Sequence, residues 1–197
     1  MALIMSNKDI QEQRVRGYFV QATNEILRGE GISNLSVRNI AEKAGYSYAT
    51  LYNYFKDINE LLSVCIIDFI EEGKEFIIGE TKDIQQGKDR LEAIIKSYVK
   101  FFIQYPGIFE LFYITPLINT DSAKAIISFL EEMCNEDWTY IIENGDYSKD
   151  EIDIKKESVK YLITGLLVLY NNRRYPTDYV NFRKTVDSQI ENILRVL

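Results

Sequence analysis

The sequence predicts an all-α protein of about nine helices, and three observations carry that prediction. Apolar residues recur at spacings of three and four almost from end to end, and no segment alternates in the two-residue rhythm of a strand. Only three prolines and ten glycines interrupt the 197 residues. Hydrophobic residues make up 46% and charged residues 27%, the balance of a folded globular chain rather than a disordered one.

The first helix is expected to start near Asp9 and to set Val15, Phe19, Ala22 and Ile26 on one side. It stops at Arg28-Gly29-Glu30-Gly31, where glycine can take the left-handed conformation that closes helices. A dense cluster of short elements follows over residues 36 to 55. Asp57-Ile58-Asn59-Glu60 then reads as a capping box, with Asp57 accepting from the Glu60 N–H while the Glu60 side chain reaches back. It opens a long helix that buries Leu61, Leu62, Cys65, Ile66 and Phe69. A helix beginning near Gly87 buries Leu91, Ile94, Ile95, Tyr98, Phe101, Phe102 and Tyr105, and Pro106-Gly107 ends it. Ile108 to Ile114 is a short aromatic piece, broken again at Pro116. Asp121 or Ser122 caps the next helix, whose inner side carries Ile126, Ile127, Leu130, Met133, Cys134, Trp138 and Ile141. Past the Asn144-Gly145-Asp146 turn, a helix runs from about Asp150 to Asn171. Pro176 and Thr177 introduce the last one, with Phe182, Val186, Ile190, Ile193, Leu194 and Leu197 on its apolar side.

Several function classes fall away at this point. The longest apolar run, Tyr161 to Tyr170, is about half of the ~20 residues that a membrane span needs. The apolar start, Met1 to Met5, is too short for an export signal, so the cytoplasm is the expected compartment and no membrane partner is expected. Cys65 and Cys134 sit inside apolar patterns, with neither disulfide nor metal spacing, and read as core. The absence of histidine removes the commonest general base and the commonest metal ligand. With no nucleophile–base pair and no phosphate loop in view, neither catalysis, a metal nor a cofactor is expected. A helical small-molecule or lipid carrier stays as a remote alternative.

Charge is unevenly spread. Residues 1 to 56 hold seven Lys/Arg and five Asp/Glu, a balance of +2, whereas the remainder holds 16 and 25, a balance of −9. Attraction to phosphate follows local charge, so only the first part suits nucleic acid.

Residues 36 to 55 carry the chemistry. Ser36 is a good N-cap for a helix of about two turns, with Val37, Ile40, Ala41 and Ala44 on its inner face. Gly45 permits the sharp left-handed turn between two crossing helices. Ser47 caps a second short helix whose inward residues are Leu51 and Phe55. Its outside offers Tyr48, Ala49, Thr50, Tyr52, Asn53 and Tyr54, with no acid among them, where an ordinary surface helix carries Glu and Lys. Hydroxyls, an amide and small residues suit close approach to base edges and phosphates, which repel carboxylates. A tyrosine-rich protein–protein face is the competing reading.

This stretch closely resembles the DNA-binding domain of the TetR family of bacterial regulators, from the helix at residue 9 to about Leu62. The likeness lies in the capped helix, in Ile40-Ala41-x-x-Ala44-Gly45, in Ser47-x-x-Thr50-Leu51-Tyr52-x-Tyr54-Phe55 and in the downstream Glu60-Leu61. It implies an N-terminal three-helix helix-turn-helix DNA-binding domain, residues 1–56, joined to a larger helical ligand-binding and dimerisation domain, residues 57–197. It further implies that Ser36 and Arg38 touch phosphates. Tyr46, Ser47, Tyr48, Ala49 and Thr50 sit at the mouth of the major groove, with Tyr48 and Thr50 nearest the bases, and Tyr52, Asn53 and Tyr54 reach phosphates or outer bases. The family usually has a lysine two residues before Glu60. Here that position is Ile58, and Lys56 is the candidate to supply the contact from a different geometry.

The resemblance also implies a palindromic DNA operator, an unidentified small-molecule effector, and a homodimer through the last two helices, about 150–171 and 177–197. Ile163, Leu166, Leu167 and Tyr170 with Phe182, Val186, Ile190 and Leu194 suit a four-helix contact between two chains, and equally a bundle within one. Aromatic candidates for the effector are Tyr98, Phe101, Phe102, Tyr105, Phe109, Phe112, Tyr113, Trp138 and Tyr161, a set that also describes a core. The acidic balance of this part favours a neutral or cationic effector over an anionic one. The expected function is a repressor that its ligand releases from DNA, with an activator or co-regulator of the same fold as the alternative.

Overall fold

The computed structural model describes residues 7–116, 119–145, 147–176 and 178–195. Among these residues it contains nine α-helices, one 3-10 turn and no strand. The expectations placed on Met1 to Met5, Asp146, Thr177 and Leu197 lie outside the described residues. No helix among the described residues is long and apolar enough to cross a membrane.

The chain divides into two compact units, Met1–Phe69 with Pro106–Lys124, and Ile70–Tyr105 with Ala125–Leu197. The first unit holds α1 (Asn7–Gly29), the 3-10 turn Ile32–Asn34, α2 (Val37–Ala44), α3 (Tyr48–Leu51) and the start of α4 (Ile58–Thr81). It also holds α6 (Pro106–Tyr113) and the first turn of α7 (Thr120–Asn144). The second unit contains the rest of α4 and α7, with α5 (Lys88–Gln104), α8 (Lys149–Asn171) and α9 (Tyr179–Leu194).

In the first unit, Phe19, Ala22, Ile26 and Leu27 of α1 are buried with Ile40, Leu51, Phe55 and the Leu61–Phe69 face of α4. Pro106 ends α5 as expected, but it also starts α6, where the missing N–H of proline costs nothing. Gly107 lets α6 lie directly on α1: a Cβ there would stand 2.1 Å from the Leu27 carbonyl oxygen. The cap of α7 is Asn119, whose Oδ1 accepts from the Asp121 N–H at 2.9 Å, rather than Asp121 or Ser122.

The second unit is built on α5. Leu91, Ile94, Ile95, Tyr98, Phe101 and Phe102 are all buried, as the periodicity predicts. Phe129 completes this core, lying 5.2 Å from Tyr98 between ring centroids and over Gly73, where a Cβ would meet its ring at 2.6 Å. The expected inner face of α7 is therefore turned slightly: Phe129 is buried while Ile127 is exposed. Asp137, fully buried, accepts from the Arg90 guanidinium at 2.9 Å and from the Gly87 N–H at 2.8 Å, fixing the start of α5 to α7. Ser148 and Glu151 form a reciprocal capping box that starts α8 at Lys149. Both cysteines are buried and free; burial pushes the Cys65 thiol up to about 12 and raises that of Cys134 as well, so neither is a thiolate at neutral pH.

Candidate nucleic-acid interface

Local chemistry shapes the helix-turn-helix. Ser36 has extended backbone angles and its hydroxyl accepts from the Asn39 N–H at 3.1 Å, which opens α2. Gly45 closes α2 in the left-handed region, at φ 78°, with the Tyr46 N–H donating back to the Ala41 carbonyl at 2.9 Å. Ser47 then caps α3 by accepting from the Thr50 N–H at 3.1 Å. Past Leu51 the chain continues in tight turns: the Asn53 N–H donates to the Thr50 carbonyl and the Tyr54 N–H to the Leu51 carbonyl. The second helix is thus a single α-turn prolonged by turns. Leu51 and Phe55 point into the core, as the sequence requires.

The proposed DNA residues fall into two sets. Ser36, Arg38, Ser47, Tyr48, Ala49, Tyr52, Asn53 and Lys56 are exposed, Tyr48 at 65% and Tyr52 at 51%. Tyr46, Thr50 and Tyr54 are half-buried. The Tyr46 ring packs on Phe19 at 5.5 Å and stacks with Tyr18 at 6.3 Å, and Tyr54 lies 6.2 Å from Phe19. These two tyrosines therefore anchor the motif to α1 with their rings while staying partly open to solvent. The Thr50 hydroxyl shares a 2.8 Å hydrogen bond with that of Ser47, so the two act as one polar unit.

The cations divide as well. Lys43 pairs with Glu25 and Glu30, each at 3.6 Å, and is neutralised. Arg14, Arg38 and the Lys56 ammonium are exposed and meet no acid among the described residues. From Tyr46 to Lys56 the sequence has no carboxylate at all.

Two contributors escaped the sequence reading. Tyr18, exposed beside Tyr46, extends the hydroxyl-rich surface onto α1. Arg16 is the other. Its guanidinium lies 4.2 Å over the Phe55 ring, donates to the Tyr54 carbonyl at 2.8 Å and pairs with Glu60 at 3.2 Å. Glu60 in turn accepts from the Lys56 N–H at 2.8 Å, while Asp57 accepts from the Glu60 N–H at 2.9 Å. Only the Asp57 half of the expected capping box forms: the Glu60 carboxylate reaches the Lys56 N–H instead of the Asp57 N–H. The Lys56 N–H, with help from Arg16, holds the Glu60 carboxyl below the usual carboxylate range. Arg16 sits 38 to 44 positions from its partners, so no local pattern announces it.

The aromatic candidates for an effector are dispersed. Tyr98, Phe101 and Phe102 are buried and pack edge-on against one another, with half-buried Tyr105 against Phe101 at 5.3 Å. In the first unit, Phe109 and Phe112 are buried against half-buried Tyr113. Trp138 is 3% exposed and borders a cavity between α7 and α8, whereas Tyr161 stands 68% exposed. Of the eight candidate interface residues, Ile163, Leu167, Phe182, Val186, Ile190 and Leu194 are buried inside the second unit. Leu166 and Tyr170 are half-buried, and the Tyr170 ring lies 4.2 Å from Phe182. Within one chain these side chains are buried where α8 and α9 pack against each other and against α5, with the Tyr170 ring of α8 on Phe182 of α9. What α8 turns outward is Ile154, Tyr161 and Leu169, with Gly165 open between them.

Comparison with known proteins agrees with this geometry. The family of bacterial regulatory proteins called tetR matches residues 19–65. An uncharacterized HTH-type transcriptional regulator of Haemophilus influenzae is 21% identical over 164 residues, 78% of this chain and 76% of that one. The HTH-type transcriptional regulator BetI of Escherichia coli is 28% identical over 82 residues, which span 41% of this chain and 42% of BetI. The transcriptional regulator FadR of Bacillus subtilis, solved in complex with stearoyl-CoA, shares the fold at a TM-score of 0.70 and 16% identity, over 92% of this chain and 98% of FadR.

Proposed function

We propose that this chain is a DNA-binding transcription regulator of the TetR family of bacterial regulatory proteins, which it resembles over residues 19–65, and that it acts as a repressor that a small molecule releases from its operator. The observation that carries this reading is the acid-free outer surface of residues 46–56, which presents hydroxyls and an amide on a short, doubly capped motif. Tyr48 and the Ser47–Thr50 pair face the bases. Ser36, Arg38, Tyr52, Asn53 and Lys56 engage phosphates, and Tyr46 and Tyr54 hold the surface to α1. Lys56 takes the role that the family gives to the lysine at the position of Ile58.

A palindromic operator requires two such motifs about 34–36 Å apart, hence a homodimer. The outward face of α8 is the surface offered to the second copy, and the buried seam of α8 with α9 sets its angle. Residues 1–56 serve DNA; residues 57–197 serve the effector and the dimer. The cytoplasm is where such a protein works. That FadR, which shares this fold, was solved in complex with stearoyl-CoA supports a ligand-responsive second part without naming its ligand. Release follows only if the effector binds the DNA-incompetent state more tightly, since equal affinity for both states shifts nothing.

The test is Tyr48→Ala, assayed on a duplex selected from random sequence. Specific affinity falls about 10-fold, the worth of one good base contact, with unchanged circular dichroism because the side chain has no packing role. Equal affinity of the variant and the parent for that duplex removes Tyr48 from recognition.

A further inference from the structure

A cavity of about 290 Å³ opens between α7 and α8, wholly within the second unit. Its floor is apolar. Leu130, Cys134 and Trp138 follow one another at four-residue spacing along α7, and Val159 joins them from α8. Burial leaves Cys134 a neutral thiol, so the floor carries no charge.

The rim is charged, and its pairing is lopsided. Two lysines on α8, Lys156 and Lys160, turn to acids of their own helix, Asp153 at 3.6 Å and Glu157 at 3.5 Å. Glu131, reaching in from α7, has no partner among the described residues. Three carboxylates thus face two ammonium groups, and the surplus negative charge stands beside the apolar floor.

Other helix pairs of this unit are tied by polar links. Arg90 with Asp137 joins α5 to α7, Lys96 with Asp187 joins α5 to α9, and the Lys155 ammonium donates to the Ile193 carbonyl at 2.6 Å across α8 and α9. Among the described residues no hydrogen bond or ion pair joins α7 to α8. A guest in this cavity therefore displaces no existing polar contact.

We propose that this cavity binds the effector, and that the effector is a compact organic cation with an apolar body, such as a substituted ammonium. The apolar part lies on Leu130, Trp138 and Val159, and the charge lies by Glu131 at the rim. An anion fits poorly, because it must either pull a lysine from its carboxylate or sit against three acids. A bare metal ion fits no better, since no metal-holding cluster exists among the described residues. This inference rests on the ligand-responsive reading above.

Trp138 is the only tryptophan of the chain, so its fluorescence reports directly on the cavity. The experiment titrates the full chain with benzyltrimethylammonium, with benzyl alcohol as the neutral probe and benzoate as the anionic one, at constant ionic strength. The cation gives a saturable change in emission, and benzoate binds at least about 10-fold more weakly. Glu131→Gln, folded by circular dichroism, weakens the cation about 5-fold and leaves benzyl alcohol unchanged. No saturable change up to about 10 mM, an equal response to benzoate, or an unaffected Glu131→Gln variant overturns the site. Operator binding is followed in the same titration. A cation that fills the cavity without altering operator affinity overturns the effector role. Loss of the cavity signal, with operator binding intact, leaves the DNA-binding reading standing alone.

Discussion

Two outward faces of this chain are made of opposite materials. The helix-turn-helix turns Tyr48, Ala49, Tyr52 and Asn53 to solvent, groups that water satisfies and that base edges and phosphates satisfy equally well. The middle of α8 turns out Ile154 at 67% exposure, Tyr161 at 68% and Leu169 at 43%, on a helix whose other surface positions carry Lys155, Lys156, Glu157 and Lys160. Water gains from the removal of such a strip. The first face is shaped to trade water for a polar partner and the second to shed water against an apolar one. A surface that is polar but acid-free, and one that is apolar within a charged helix, both depart from an ordinary exterior, in directions that indicate different partners.

The largest test of this contrast is the double variant Tyr161→Arg with Leu169→Arg. Two cations on the apolar strip weaken self-association about 100-fold, read by sedimentation velocity, since hot-spot losses of this kind cost about 2 kcal/mol or more. Affinity for a full palindrome falls in step, because the second head loses its tether, while affinity for a half-site duplex is unchanged. A variant that stays dimeric at micromolar concentration breaks the assignment of that face. A smaller effect comes from the polar face. Tyr52→Glu places a carboxylate where the sequence has none, weakens operator and random duplex alike by about 10-fold at low salt, and leaves self-association unchanged. If instead it dissociates the dimer, the two faces are not separate in function.

The same contrast explains what was legible in the sequence. The motif between Ser36 and Phe55 is set by contacts three to five residues apart: Ser36 to Asn39, Ser47 to Thr50, Tyr46 to Ala41. Caps and a left-handed glycine reveal such contacts in order, so its inner and outer faces could be assigned, except that Tyr54, expected outside, is half-buried against Phe19. The α8–α9 region gave only its period. Ile163, Leu167, Phe182 and Ile190 read as an apolar stripe, yet a stripe does not say whether its mate is in the same chain or another. Here each stripe meets the other within one chain, and the strip at Ile154, Tyr161 and Leu169, too sparse to stand out, remains outside. Phe129 was missed for a related reason: its burial comes from the glycine opposite, at Gly73, 56 positions away. The aromatic cluster of α5 was found but not its nature, because filling a core and lining a cavity call for the same residues.

Arg16 gives the smallest and most specific test, since it ties α1 to the turn that follows the proposed recognition residues. With Arg16→Gln, the Tyr54 carbonyl and the Glu60 carboxylate lose their shared donor, and the turn carrying Tyr52, Asn53 and Lys56 loosens. Both charged partners are partly exposed, so the stability loss is under about 1 kcal/mol and the operator affinity falls about 3-fold. Arg16→Lys keeps a cation for Glu60 but cannot hold both acceptors at once, so it restores melting temperature more fully than affinity. A purely structural role would restore the two together. The pH dependence has a fixed sign. The folded Glu60 carboxyl titrates below its ordinary value of 4.5, so its contribution is complete at neutral pH and fades as the pH falls through the lowered value. Because the Lys56 N–H is the larger cause of that lowering, Glu60→Gln flattens the acid limb of a melting-temperature profile more than Arg16→Gln does. The reverse order would mean that the ion pair, and not the backbone hydrogen bond, holds the turn.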